Sequence, residues 1–285
     1  MSRASSIAQG VAAGFLFGTA SILIRFLPRL DALSLGFYRL VIAAALMLLL
    51  NILLFKRLWI SEYRGHGKRI IVLAFLIGLH FIFFISAVKN TTILNATVLT
   101  NTTPAMVLLL SWIIWRSAPK PLALLGLILT FLGVLTISLA ETSISPGNLL
   151  GDLEALMAAF FWALYLIVGK PVRSAGNVLL LMTPIYIIAG VIMGGAGLMV
   201  FKQITVPLPA EVLPLLAVAF FPTVLGHTLH FSSLKHLTPF QASTLSLLEP
   251  VVASILAALI FLEIPHVSFY VGAVSVLVGV YLVLK

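Results

Sequence analysis

Two charges stand where this chain offers no water. Glu249 lies deep in the apolar run Phe240–Leu262, ~16 Å of helical rise from its edge and so near the middle of a bilayer. A carboxylate at that depth is costly and usually functional. It can bind a substrate amine, carry a proton, or sit in a fixed hydrogen-bonded pair beside Pro250. Arg39 is the second charge, about two turns into Ala32–Phe55. Arginine stays protonated and needs a partner. Glu154, about one turn into Leu149–Gly169 from the same side, is the expected one. A structural ion pair is the simpler reading of Arg39, and a clamp for a substrate carboxylate the functional one.

Histidines and hydroxyls add to the polar set. His80 is near the middle of its run, and His227 and His230 share one helical face. Each either bonds a neighbouring helix or carries protons. No carboxylate or cysteine cluster accompanies them, so no metal site is expected. On one run Thr97, Thr100, Asn101 and Pro104 share a face. On another the equivalents are Ser243, Ser246, Leu247 and Pro250. Proline removes a donor and clashes with the carbonyl four residues back. Pro104 should therefore free the Thr100 carbonyl, and Pro250 that of Ser246. Two kinked, hydroxyl-bearing helices would line a cavity at mid-depth, or merely bond their neighbours.

The elements that position these residues follow from composition. Hydrophobic residues are 61% of the 285 and charged ones 9%, against roughly 25% charged in soluble domains. Most of the surface must face lipid, which only helices with every backbone group satisfied can cross here. Ten runs qualify: Ser5–Leu27, Ala32–Phe55, Arg69–Val88, Ile93–Trp115, Pro121–Leu139, Leu149–Gly169, Val178–Phe201, Glu211–Leu234, Phe240–Leu262 and Val267–Leu284. The first run is expected to be a helix of the mature protein, since it is long and belongs to the repeat below. The longest polar loop, Lys56–Lys68, is too short for a catalytic domain. There are no cysteines, which excludes disulfides and thiolate metal sites.

Basic residues set an expected orientation. With both termini cytoplasmic, 12 Lys and Arg fall inside, and four (Arg25, Arg29, Lys89, Lys202) outside. That placement accounts for the net charge of +9 without invoking nucleic acid. The expected location is the cell membrane, multi-pass.

The chain also repeats itself. Asn95 to Pro104 answers to Gln241 to Pro250, 146 positions on, and the register holds for Lys89 and Lys235, Pro119 and Pro265, Gly126 and Gly272, and Gly133 and Gly279. The expectation is an all-α membrane protein of ten transmembrane helices, as two inverted five-helix repeats, 1–140 and 149–285. Such halves mark secondary transporters. Phe17 and Trp162 lie with Phe15, Phe160, Phe161 and Tyr165 on repeat-related runs, where they either pack against lipid and helices or hold an apolar solute. The four repeat glycines suit close packing at a scaffold or dimer-like surface.

The run Ala242-Ser243-Thr244-Leu245-Ser246-Leu247-Leu248-Glu249-Pro250, then Phe261-Leu262-Glu263-Ile264 and Gly272 with Gly279, resembles the EamA-type branch of the drug/metabolite transporter superfamily. Phe37-Tyr38-Arg39-Leu40 and Thr103-Pro104 carry the likeness in the first half, where Arg116-Ser117 departs from the acidic Glu263 of the second. The resemblance implies a ten-helix transporter that moves small metabolites, often amino acids outward, through a cavity between halves, and alternating access is the mechanism expected of two such halves. The expected substrate-binding set is Phe17, His80, Thr97, Thr100, Asn101, Trp162, Ser243, Ser246 and Glu249. Arg39, Glu154, Pro104 and Pro250 are structural or gating. No cofactor is expected, protons are the candidate coupling ion, and either a monomer or a homodimer fits. A lipid or drug translocase of the same fold is the alternative. A membrane-embedded enzyme is disfavoured because no catalytic set is recognisable.

Overall fold

Apolar side chains all round a segment leave the backbone no partner but itself, and the chain is helical almost throughout. The computed structural model describes residues 2–55, 66–91, 93–116, 119–140, 149–261 and 267–285. Arg116 is described without its neighbour Ser117, and Glu263 lies outside the described residues. The helices are α1 (Arg3–Arg25), α2 (Ala32–Phe55), α3 (Gly67–Asn90), α4 (Ile93–Thr100), α5 (Thr103–Trp115), α6 (Pro121–Ala140), α7 (Leu149–Ala175), α8 (Val178–Phe201), α9 (Pro209–Val218), α10 (Thr228–Ser233), α11 (Pro239–Leu245), α12 (Glu249–Phe261) and α13 (Val267–Leu284). Local chemistry sets their ends. Ser2, Asn177 and Thr238 accept from the first-turn amides of α1, α8 and α11, and Arg116 and Lys202 close α5 and α8 at φ 51° and 61°.

Among the described residues nine helical spans are long and apolar enough to cross a membrane, and α6 contributes the shorter apolar stretch Pro121–Thr136. Large apolar side chains such as Leu53, Met199 and Leu213 lie exposed on the outside. In water such a surface would aggregate; in lipid it is ordinary. The molecule is a multi-pass membrane protein.

Three of the expected runs are not single helices. The fourth breaks at Asn101-Thr102 between α4 and α5, and the ninth passes through a 3₁₀ turn, Ser246–Leu248, between α11 and α12. The eighth is interrupted by a π-helical stretch, Ala219–His227, between α9 and α10. The sixth run, expected to end at Gly169, continues as α7 through Pro171 to Ala175, so Lys170 and Arg173 stand on helix. Lys170 Nζ there donates to the carbonyls of Leu234 (2.6 Å) and Lys235 (3.2 Å).

Packing is reciprocal between the halves. α1 lies against α12, α10 and the π-helical stretch, while α7 lies against α3, α4 and α5. α2 packs on α8, and α6 on α13. The Arg3 guanidinium bonds the Leu284 carbonyl, so both chain ends meet at one face.

At the opposite face polar groups tie the halves together. Asp31, between α1 and α2, accepts from Leu33 N (3.0 Å), Ser34 N (2.8 Å), Ser34 Oγ (2.5 Å) and Thr205 Oγ1 (3.0 Å). Thr205 N donates to Ser34 Oγ at 2.9 Å. Arg29 pairs with Glu211 at 3.9 Å. Burial pushes the Asp31 carboxyl up, but the bonds from Ser34, Thr205 and Leu33 outweigh it, and it titrates below its ordinary 3.8. A depressed carboxylate adds stability that is present at neutral pH and lost as pH falls below that value. Asp31→Asn should therefore lower the melting temperature at pH 7 by roughly 2–4 °C. The gap to wild type should narrow below about pH 4. Thermal unfolding of both proteins across that range checks it.

Candidate functional site

The two proline breaks deliver backbone and polar side chains to one place. Pro104 is the second residue of α5 and Pro250 the second of α12, positions whose amides have no helical partner to lose. The freed Thr100 carbonyl accepts from the Thr103 hydroxyl at 2.8 Å. That of Ser246 accepts from the amide of Glu249. Each break is thus satisfied locally, as a bilayer demands.

Between them lies a cavity of ≈ 40 Å³, room for a few waters and less than a metabolite needs. α4, the break after it and α5 supply Thr100, Asn101 and Thr103, while the 3₁₀ turn and α12 supply Ser246 and Glu249. Arg39 comes from α2, His80, Phe81 and Phe84 from α3, and Phe17 from α1. Trp162 of α7 and His227 of the π-helical stretch complete the wall. Its rings interlock: His227 stands 4.8 Å from Phe17, 5.0 Å from Phe81 and 5.0 Å edge-on to Trp162. Trp162 in turn stacks on Tyr165 at 5.1 Å.

The π-helical stretch has a visible cause. Pro222 cannot fill the carbonyl of Val218, which accepts instead from Thr223 Oγ1 at 2.8 Å. Thr223 Oγ1 also accepts from Arg39 Nε, and the Thr223 carbonyl accepts from Tyr186 OH at 2.9 Å. Arg39 is only 1% exposed. Its guanidinium lies 4.3 Å above the Phe81 ring, a cation–π contact. Among the described residues its Nη1 has no hydrogen-bond partner. Thr100 Oγ1 and His227 Nδ1 are likewise buried without one.

Arg39 does not pair with Glu154. That carboxylate accepts from Ser86 Oγ (2.7 Å) and Asn90 Nδ2 (2.9 Å) at the end of α3, so its charge is spent at the rim. Entry from the same side made the two look like partners, but Arg39 is bonded by Thr223 and Phe81 and Glu154 by the end of α3. Glu249, half-buried, shares the cavity with Arg39 instead.

Of the sequence-expected binding residues, Phe17, His80, Thr100, Asn101, Trp162, Ser246 and Glu249 line the cavity. Ser243 does not. It is wholly buried and its hydroxyl donates to the Phe240 carbonyl at 2.9 Å. Thr97 lies in α4, but its side chain is outside the described residues. His80 Nδ1 donates to the Ala158 carbonyl at 3.0 Å, and His230 Nε2 to that of Ala242 at 2.8 Å, so both bond neighbouring helices. His230 also faces Trp162 at 5.3 Å. Phe15 is exposed and Phe161 stacks on Phe83, away from the lining. Sequence reasoning missed Phe81 and Phe84, which follow His80 by one and four residues, and Tyr186 and Thr223, two polar residues deep in apolar runs.

A second, wider hollow of ≈ 570 Å³ opens at the face of the chain ends. Gln9, Arg173, Asn177, Thr228, Ser232 and Lys235 are among its lining. His227 lines the central cavity and Thr228 the outer hollow, so the two hollows reach neighbouring residues of one run.

Comparison with known proteins agrees with this architecture. The EamA-like transporter family matches residues 4–139 and again 149–285. A protein of Archaeoglobus fulgidus named an uncharacterized transporter is 26% identical over 90% of this chain and 89% of its own length. A probable amino-acid metabolite efflux pump of Escherichia coli is 30% identical over 56% of each chain. A solved crystal structure superposes with a TM-score of 0.79 over 99% of this chain and 96% of its own, at 16% identity, a likeness of fold alone.

Proposed function

The chain belongs to the EamA-like transporter family, and from that premise we propose that it exports amino acids or related small amphipathic solutes through the cavity between α4/α5 and α11/α12. The observation that carries this reading is the lining itself. One fixed cation, one carboxylate, an amide and hydroxyls meet an aromatic wall at the junction of two broken helices. That combination suits a solute with a charged or polar end and an apolar body. Outward direction is supported by the name of the Escherichia coli relative.

Alternating access is the proposed mechanism. The two family matches and the reciprocal packing of α1 and α7 support two like halves rocking about the cavity. The basic-residue count of 12 against four supports a cytoplasmic position for both termini. The 570 Å³ hollow then opens to the cytoplasm, and the Asp31–Thr205 cluster faces outward. A monomer contains the whole cavity. Protons are the candidate coupling ion.

Flux from proteoliposomes tests the reading. Vesicles loaded with a panel of amino acids should show saturable efflux of a few members, with and without an imposed pH gradient. A rate that follows the gradient assigns proton coupling, and one that ignores it assigns facilitated efflux. Absence of amino-acid flux under both conditions overturns the substrate class.

A further inference from the structure

We propose that Arg39 and Glu249 are the two poles of one zwitterion site, reading the carboxylate and the ammonium of the same α-amino acid, whose side chain lies on the aromatic wall. The proposal rests on the transport reading above and names its substrate class. Both groups line one cavity and feel each other's charge across it, and among the described residues no ion pair closes between them. Arg39 is almost fully buried and already anchored: Nε is held by Thr223, and Phe81 lies beneath the guanidinium. Its Nη1 is buried with no hydrogen-bond partner among the described residues. An anchored guanidinium with a spare donor is built to receive an acceptor from outside the protein, and a carboxylate is the best match.

Glu249 opens α12 and, among the described residues, supplies the only acidic side chain in the lining. A solute that is only an anion would leave this carboxylate uncompensated at mid-membrane. A solute that is only a cation would do the same to Arg39. Each lone buried charge is costly. A zwitterion satisfies both at once and brings no net charge. Trp162, Phe17 and Phe84 then offer ring faces and edges to an apolar or aromatic side chain. The 40 Å³ volume means that the solute must spread these rings to bind.

The test uses the full-length protein in detergent and three congeners: phenylalanine, phenethylamine (no carboxylate) and 3-phenylpropionate (no amine). Leucine, isoamylamine and 4-methylpentanoate form an aliphatic set. In at least one set the amino acid should bind about 10-fold or more tightly than either congener, the loss expected when a charge-assisted bond goes unmade. Glu249→Gln should erase the preference over the acid and keep that over the amine, and Arg39→Gln the reverse. Should Arg39→Gln fail to assemble, Glu249→Gln alone still separates the poles. Binding of either congener within twofold of its amino acid in both sets overturns the proposal, as does binding of none of the six. Amino-acid efflux with equal congener binding would sink the two-pole site and leave the transport reading standing.

Discussion

Arg39→Gln should reduce saturable amino-acid efflux by about 10- to 150-fold while the protein still assembles, the loss of one hydrogen bond to a charged group at about 1.5–3 kcal/mol. Glutamine can still donate to Thr223 Oγ1, which Arg39 bonds through Nε, so the scaffold contact has a substitute and the charge does not. Because Glu154 is held by Ser86 and Asn90, Arg39→Ala/Glu154→Ala should be no better folded than Arg39→Ala. A double-mutant cycle on expression and flux reads both points. Recovery in the double variant would restore the Arg39–Glu154 pair and remove Arg39 from the solute path.

Gly133→Leu should cost the fold itself. A Cβ at Gly133 would lie 2.6 Å from the Gly272 carbonyl and 2.8 Å from the Val276 amide, and one at Gly126 2.7 Å from the Gly279 carbonyl. All of these are backbone atoms of α13, which cannot swing aside as a side-chain tip would. Overpacking costs about 1–3 kcal/mol where a core can yield, and here two helices must separate. The glycines are thus spent on the contact between α6 and α13 within one chain, not on a dimer surface. Gly195, with nothing within 4 Å, is the control. Gly133→Leu should lose monodisperse protein in size-exclusion chromatography, and Gly195→Ala should not. Equal recovery of both would show that α6 and α13 do not need their close approach.

What could be read beforehand depended on how local its cause is. The apolar runs declare helices because lipid leaves the backbone no other partner, and Pro104 and Pro250 declare their breaks through a missing donor. Phe17, Asn101, Ser246 and Glu249 were placed at the cavity by the same local reasoning. Ser243 and Ser246 are three residues apart, as the sequence pattern requires, but only Ser246 reaches the cavity, and the Ser243 hydroxyl is taken up by the Phe240 carbonyl one turn back. The partners of Arg39 depended on which way each helix is turned in the bundle, which depth alone does not give. Pro222 had the same chemistry as Pro104, but its effect, a π-helical stretch that sets Thr223 against Arg39, required α2 as neighbour.

The closeness of His227 and Thr228 to two different hollows has an electrical consequence. With Asn177, Lys235 and other polar groups at its wall, the wide hollow carries the potential of one bathing solution inward almost to the central cavity. Most of the transmembrane voltage must then fall between that cavity and the Asp31–Thr205 cluster. Moving one elementary charge across 100 mV takes about 2.3 kcal/mol, so a lone cation or anion leaving toward that cluster would feel nearly the whole field. A zwitterion crosses the same step without electrical work, and its efflux should be indifferent to voltage unless a proton travels with it.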